Sequence, residues 1–261
     1  GSVLRPFEIG LLASIGKAMV KVVRRPLVAV LATGSELVDI QESLPLGKIY
    51  NSNTYSLAAQ VKRYGGIPRL LGVAEDTVEA LTAKVREGLA ADLFVTSAGV
   101  SMGDYDLVKH VLANLGEMVL STVRMKPGKA LAFGAVRAKA GRSIPFLGLP
   151  GFPTSAMVTF EQFARPAILK MMGKRSLEKP LVEAVSESDI VNRDRRRVYA
   201  LALVTKHDGE YHAALTGPRG SGILSSIAPS NGLIVVPEDV ASINRGDRVQ
   251  VQMLDWDEER E

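Results

Sequence analysis

Leu27-Val28-Ala29-Val30-Leu31-Ala32, running straight into Thr33-Gly34-Ser35-Glu36-Leu37, is the stretch that decides the fold. An unbroken apolar run this short marks a strand covered on both faces, as in a parallel sheet. A glycine turn follows at once. Asn53–Tyr64 then carries Tyr55, Leu57, Ala58 and Val61 at helical spacing, and Gly65-Gly66 ends it.

The same unit repeats outward. Ile67–Val73 reads as a second strand and Thr77–Leu89 as a helix capped by Thr77 or Asp76. Asp92–Thr96 reads as a third strand, with a helix expected over 106–115 after a glycine-rich turn. Ala130–Val136 and Ile144–Gly148 are strands flanking a charged hairpin. Pro153–Met172 reads as one long helix that Pro166 should kink or divide. Alternating strands and helices over residues 27–174 predict an α/β domain with a mostly parallel sheet.

Over 175–261 the texture changes. Strand-like runs at Val185, Val198–Val204, Tyr211–Leu215, Leu233–Pro237 and Asp247–Leu254 are separated by glycine, proline and asparagine, without a convincing helix. They predict a small β-barrel or sandwich. Residues 1–26 hold a brief helix (Pro6–Ile15) and an alternating strand at Val20 and Val22. This lead-in is expected to be a tag remnant, Gly1-Ser2, followed by the end of an upstream domain.

Composition narrows the chemistry. Of 261 residues, 46% are hydrophobic and 23% charged, the balance of a folded chain. Thirty-two basic against 28 acidic side chains give a formal charge of +4, which suits handling of oxyanionic small molecules. No cysteine is present, excluding disulfides, thiolate metal sites and cysteine nucleophiles. No segment approaches the roughly 20 apolar residues of a membrane helix, and Arg5, Glu8, Lys17 and Lys21 interrupt any signal-peptide core. A cytoplasmic protein without a membrane partner is the expectation. The run Arg193, Arg195, Arg196, Arg197 lacks an aromatic platform and reads as a solvated strand edge rather than a nucleic-acid surface.

In an open parallel sheet, ligands bind beyond the carboxyl ends of the strands. The loops Thr33–Leu37, Glu75-Asp76, Ser97–Asp106, Lys126–Lys129 and Leu149–Ser155 all gather there. In Ser97–Asp106, the glycines offer converging N–H groups for an anion, while Asp104 and Asp106 would repel a bare phosphate. Mg2+ between the acids and a phosphate reconciles the two; a helix-capping role for either aspartate is the alternative. Glu36 and Asp76 are likewise ligands or caps. Lys126 and Lys129 would point two cations at a terminal phosphate, or form a solvated turn. Gly151 and Ser155 open a helix whose free N–H groups suit an anion. Ser155 has no neighbouring histidine or nucleophile elbow, and no Walker or dinucleotide loop occurs.

Together, TGSEL (Thr33–Leu37), IYNSN (Ile49–Asn53), SAGVSMGDYDLVK (Ser97–Lys109), MKPGKALAFG (Met125–Gly134) and LPGFPTSA (Leu149–Ala156) resemble the MoeA and gephyrin E-domain family. The resemblance runs from about Arg5 to Leu254. It implies a MogA-like three-layer α/β/α sheet domain followed by a small all-β barrel-like domain. It also implies a Mg2+-dependent molybdopterin molybdotransferase, inserting molybdate into adenylylated molybdopterin and releasing AMP. Glu36, Asp76 and Asp106 would be the functional acids, with Asp106, Glu36 and Asp104 toward the metal. Lys126 and Lys129 would hold the phosphate, while Thr33, Gly34, Ser35, Gly99, Ser101, Gly103, Gly151 and Ser155 line the site. The resemblance further implies a homodimer and contacts with a molybdopterin adenylyltransferase or molybdoenzymes.

The chain departs from the family at Ala98, Asn51 and Phe152, where glycine, aspartate and asparagine are usual. Family members also carry two further domains upstream, so this chain is expected to bind ligand but turn over poorly alone. The alternatives are a noncatalytic molybdopterin-binding or scaffolding module and a MogA-type adenylyltransferase.

Overall fold

The computed structural model describes residues 2–98, 111, 114–138, 141–217 and 223–256. The residues expected at Gly99, Ser101, Gly103, Asp104 and Asp106 lie outside the described residues, as does most of the helix expected over 106–115.

β1 (Leu27–Thr33) is buried at every position after Leu27, with Ala29 and Leu31 in one apolar cluster and Val28 and Val30 in another. A strand that feeds two cores must lie inside a sheet covered on both faces. Two short strands, β2 (Leu37–Val38) and β3 (Ile49–Tyr50), pair beside its end. β4 (Ile67–Ala74) and β5 (Leu93–Ser97) flank β1 in parallel. Beyond β5 come β9 (Ser143–Leu149), parallel, then β8 (Ala130–Arg137) and β6 (Gly116–Thr122), both antiparallel to their neighbours. The order is β4-β1-β5-β9-β8-β6.

Helices complete the three layers. α2 (Asn53–Arg63) puts Leu57 and Val61 against one face. α3 (Val78–Gly88) puts Leu81 and Val85 against the other, and Thr77 caps it by accepting from the Ala80 N–H. Gly88 is required there, because a Cβ would come within 2.1 Å of the Phe94 ring. Against the α2 face also lie α4 (Pro153–Thr159), a π-helical turn (Phe160–Ala164) and α5 (Arg165–Met171). The single helix expected over Pro153–Met172 is therefore interrupted before Pro166 rather than at it. Proline lacks an N–H and crowds the carbonyl four residues back, so widening the preceding turn lets it sit at the start of a new α-segment.

The second half closes on itself. β10 (Leu181–Ser186), β12 (Arg197–His207), β13 (Glu210–Leu215), β14 (Gly232–Val236) and β16 (Arg248–Met253) form the ring β13-β10-β16-β14-β12, with β12 pairing back to β13. Ala184, Ala202, Ala213, Ile234 and Val251 fill its centre, all fully buried. β11 (Ile190–Val191) and β15 (Ser242–Ile243) make a small separate ladder. β7 (Met125–Lys126), from the first half of the chain, adds to β12 in parallel. Met125, Val158 and Leu233 are buried together where the halves meet.

Two expectations fail. Val20 and Val22 are exposed and belong to no strand, since α1 (Pro6–Ser14) and the segment after it bury too little to support a ladder. One helical turn, α6 (Leu224–Ile227), occurs in the β-rich half; four residues are too few to show a period. No helix among the described residues is long and apolar enough to cross a membrane.

Candidate functional site

Thr33, Ala74, Ser97 and Leu149 end the four parallel strands, so the loops that follow share one edge. β8 runs the other way, with Ala132 opposite Gly148, so the turn that precedes it meets the same edge. Among the described residues, the rim thus carries the loops Thr33–Leu37, Glu75-Asp76, Lys126–Lys129 and Leu149–Ser155, with Ser97 and Ala98 of the fifth.

At one end, the loop after β1 is fastened to the loop after β4. The Ser35 N–H and hydroxyl both donate to Asp76 Oδ2, at 3.0 and 2.9 Å, and the Lys48 ammonium donates to the Ser35 carbonyl. Asp76 is therefore not the cap of α3; Thr77 has that role, which leaves Asp76 to the rim. Gly34 takes a φ of 147°, and a Cβ there would lie 2.5 Å from Glu36 Oε2. The φ is what calls for glycine here; the exposed Glu36 carboxylate folds over the turn and could swing aside. Glu36 is exposed, whereas Thr33 is buried strand.

Midway stands a residue that the sequence reading passed over. Asn53, 8% exposed at the start of α2, donates through Nδ2 to Ser97 Oγ (2.6 Å) and to the Gly151 carbonyl (2.7 Å). Both amide hydrogens are spent on the ends of two different loops. Its Oδ1 is buried without a partner among the described residues. The only available signal was an asparagine at a helix start in IYNSN, and its partners lie far away in the chain.

The departures also resolve. Asn51 accepts from the Thr54 N–H (3.2 Å) and donates to its hydroxyl (2.8 Å), so the amide still satisfies the first turn of α2 as a carboxylate would. Ala98 sits at φ 76°, a region that favours glycine, held by its N–H on the Leu149 carbonyl at 3.0 Å. Its Cβ lies 3.2 Å from where a Gly151 Cβ would be, so residue 151 has to stay small. Phe152 is 64% exposed on the rim and Ser155 is mostly buried in the first turn of α4.

At the other end, Gly128 (φ 97°) presses on Thr159, where a Cβ would lie 2.2 Å from Oγ1. That contact seats the turn bearing Lys126 and Lys129, both exposed. Lys126 Nζ lies 3.5 Å from Asp194 Oδ2, which also accepts from Arg196. The Arg196 guanidinium, then Lys126, hold the Asp194 carboxyl below the usual carboxylate range. β8 lies three strands from β1, about 14 Å at ordinary spacing, so Glu36 and Asp76 stand well apart from the lysines and the rim is elongated. Among the described residues no three metal-ligating side chains converge.

Three of the four arginines in the run have partners among the described residues, Arg196 through Asp194. Arg195 donates to the Asp239 carbonyl (2.6 Å) and Arg197 pairs with Glu238 (3.1 Å); the run lies in the turn before β12 and at its first residue, not on a strand edge.

Residues 29–170 match the family described as "Probable molybdopterin binding domain", and residues 183–254 match "MoeA C-terminal region (domain IV)". The molybdopterin molybdenumtransferase of Nostoc sp. is 38% identical over 256 residues, covering 96% of this chain and 58% of that protein. The Haemophilus influenzae molybdopterin molybdenumtransferase is 33% identical over 263 residues, with 97% and 62% covered. The structure of a molybdopterin biosynthesis MoeA protein from Pyrococcus horikoshii superposes with a TM-score of 0.80 at 30% identity, covering 96% of this chain and 60% of that one. The chain spans about three-fifths of the length of these relatives.

Proposed function

Because the chain belongs to the molybdopterin binding domain family, with a MoeA domain IV region behind it, we propose that it serves as a molybdopterin molybdotransferase. Adenylylated molybdopterin and molybdate are the substrates, and AMP is released. The observation that carries this reading is the continuous rim: Ser35–Asp76 joins two loops, Asn53 joins two more, and the lysine turn extends the line. A long ligand with phosphate groups and a ring system fits an elongated edge better than a compact cluster.

In this reading, Lys126 and Lys129 engage phosphate oxygens. Gly99, Ser101, Gly103, Gly151 and Ser155 are assigned to substrate binding. Glu36 and Asp76, at the far end, are assigned the functional role together with Asp106. The Glu36 carboxylate makes no hydrogen bond or ion pair among the described residues, and with Asp106 and Asp104 it would give Mg2+ the hard oxygen ligands it prefers. Bound there, the cation would neutralise charge developing on the pyrophosphate oxygens. The chain's own residues orient the ligand and hold charges in place, without a side-chain nucleophile. A homodimer, a molybdopterin adenylyltransferase or molybdoenzyme as partner, and a cytoplasmic site belong to the same proposal.

The test titrates the chain with adenylylated molybdopterin, then adds molybdate and Mg2+ while AMP is followed. Stoichiometric binding, weakened about tenfold or more in Lys126→Met, is expected. No binding overturns the reading. Binding with little AMP release is the result expected of this chain alone. The noncatalytic module, toward which the exposed Phe152 points, is separated from the enzyme by Asp106→Asn in the full-length protein, which abolishes cofactor insertion only in the enzyme.

A further inference from the structure

The lysine that the proposed function gives to phosphate already has an anion beside it. Asp194 belongs to the turn between β11 and β12 and reaches across to β7, where its Oδ2 lies 3.5 Å from Lys126 Nζ and accepts from Arg196. Arg196 in turn donates through Nη1 to the Met125 carbonyl at 3.3 Å. The parallel ladder that sets Met125 opposite Arg197 and Lys126 opposite Val198 fixes this arrangement. Two cations, Lys126 from β7 and Arg196 from the turn that leads into β12, therefore share one carboxylate oxygen. That is also how they would share an oxygen of a phosphate.

We propose that Asp194 is a built-in competitor for the ligand's phosphate. Its carboxylate occupies the Lys126–Arg196 subsite until a phosphate monoester displaces it. The inference rests on reading Lys126 as a phosphate-binding lysine and adds what controls that binding.

The chemistry favours exchange. Lys126 and Asp194 are 51% and 39% exposed, so water and small anions reach both, and the pair is worth little on its own. A carboxylate carries one negative charge, whereas a phosphate monoester carries close to two and has three acceptor oxygens. The phosphate can engage both cations together. The aspartate counters only by being tethered, hence always at high local concentration. Its presence lowers the subsite's affinity and hastens departure of the phosphate-bearing product. Of the other arginines in and beside the turn, Arg197 pairs with Glu238, Arg195 donates to the Asp239 carbonyl, and Arg193 is exposed.

Isothermal titration of this chain with AMP and, separately, inorganic phosphate at low ionic strength tests the idea. Asp194→Asn should bind both about three- to tenfold more tightly than the parent chain. Asp194→Ser should do the same, and Asp194→Glu should keep the parent affinity. A gain seen with AMP but not with inorganic phosphate overturns the proposal, since the nucleoside would then be what is sensed. Unchanged or weaker binding in Asp194→Asn, with binding still weakened by Lys126→Met, overturns the competitor role and leaves the phosphate lysine standing. Affinity unchanged by Lys126→Met removes the lysine from the subsite, and the competitor role falls with it.

Discussion

Asn53 and Ser97 are joined by a 2.6 Å hydrogen bond between the first residue of a helix and the last residue of a strand 44 positions later. The same amide holds the Gly151 carbonyl, so one side chain sets the spacing of the central loops. Asn53→Asp keeps the size but replaces the donor by a carboxylate facing a carbonyl. A loss of about 1–3 kcal/mol is expected in urea unfolding. Asn53→Ala should lose a similar amount, together with affinity for adenylylated molybdopterin.

Asp76 offers a contrast. It is exposed and its partners are the N–H and hydroxyl of Ser35. Asp76→Ala should change stability by less than about 0.5 kcal/mol, yet weaken ligand binding, because the loop that carries Glu36 is released. Thermal melts beside titrations separate the two effects.

Gly128→Ala tests the seat of the lysine turn. The φ of 97° and the 2.2 Å approach to Thr159 Oγ1 both oppose a methyl group. A loss of about 1–3 kcal/mol is expected, and titration with AMP should weaken as Lys126 and Lys129 shift. Adding Thr159→Ala should restore only part of the stability, since the backbone strain remains.

A buried carboxylate ties the connection between the halves. Glu161 accepts from Tyr64 Oη (2.7 and 2.8 Å) and Gln60 Nε2 (2.7 Å), and lies 3.7 Å from the fully buried Lys179 ammonium. Removing one partner of such a group is costly, so Glu161→Leu should lose about 3–5 kcal/mol in denaturant unfolding.

The pH response has a named source. Arg24, bonded to both Asp92 oxygens at 2.5 Å, holds that carboxyl below its ordinary range; burial opposes this, and the Leu27 N–H (2.8 Å) supports it. A folded carboxyl that titrates lower than the unfolded one (about 3.9) stabilises fully above the unfolded value and loses that contribution as pH falls through the folded one. Between about pH 5 and about pH 3, the urea midpoint of Asp92→Asn should therefore fall less than that of the parent chain.

Local patterns made much of this architecture legible before any coordinates. The apolar run at Leu27–Ala32 and the helical spacing in Asn53–Tyr64 each encode burial along their own segment, and β1 and α2 occur there. The resemblance carried by five loops supplied the three-layer sheet and the barrel. What stayed hidden depends on partners distant in sequence. Met125–Lys126 carries no sign that β12 will adopt it, Asp76 gives no hint of Ser35, and Asn53 none of Gly151. Val20 and Val22 show the reverse, an alternating pattern with no neighbouring strand to complete it.

The adoption of β7 by β12 bears on how the molecule is made. A chain growing from its amino end can assemble most of the first sheet early. Met125–Lys126, however, has no ladder until Arg197 and Val198 have left the ribosome. The cationic turn is therefore among the last parts to set, and a half-finished chain does not present it ready-made to cellular phosphates.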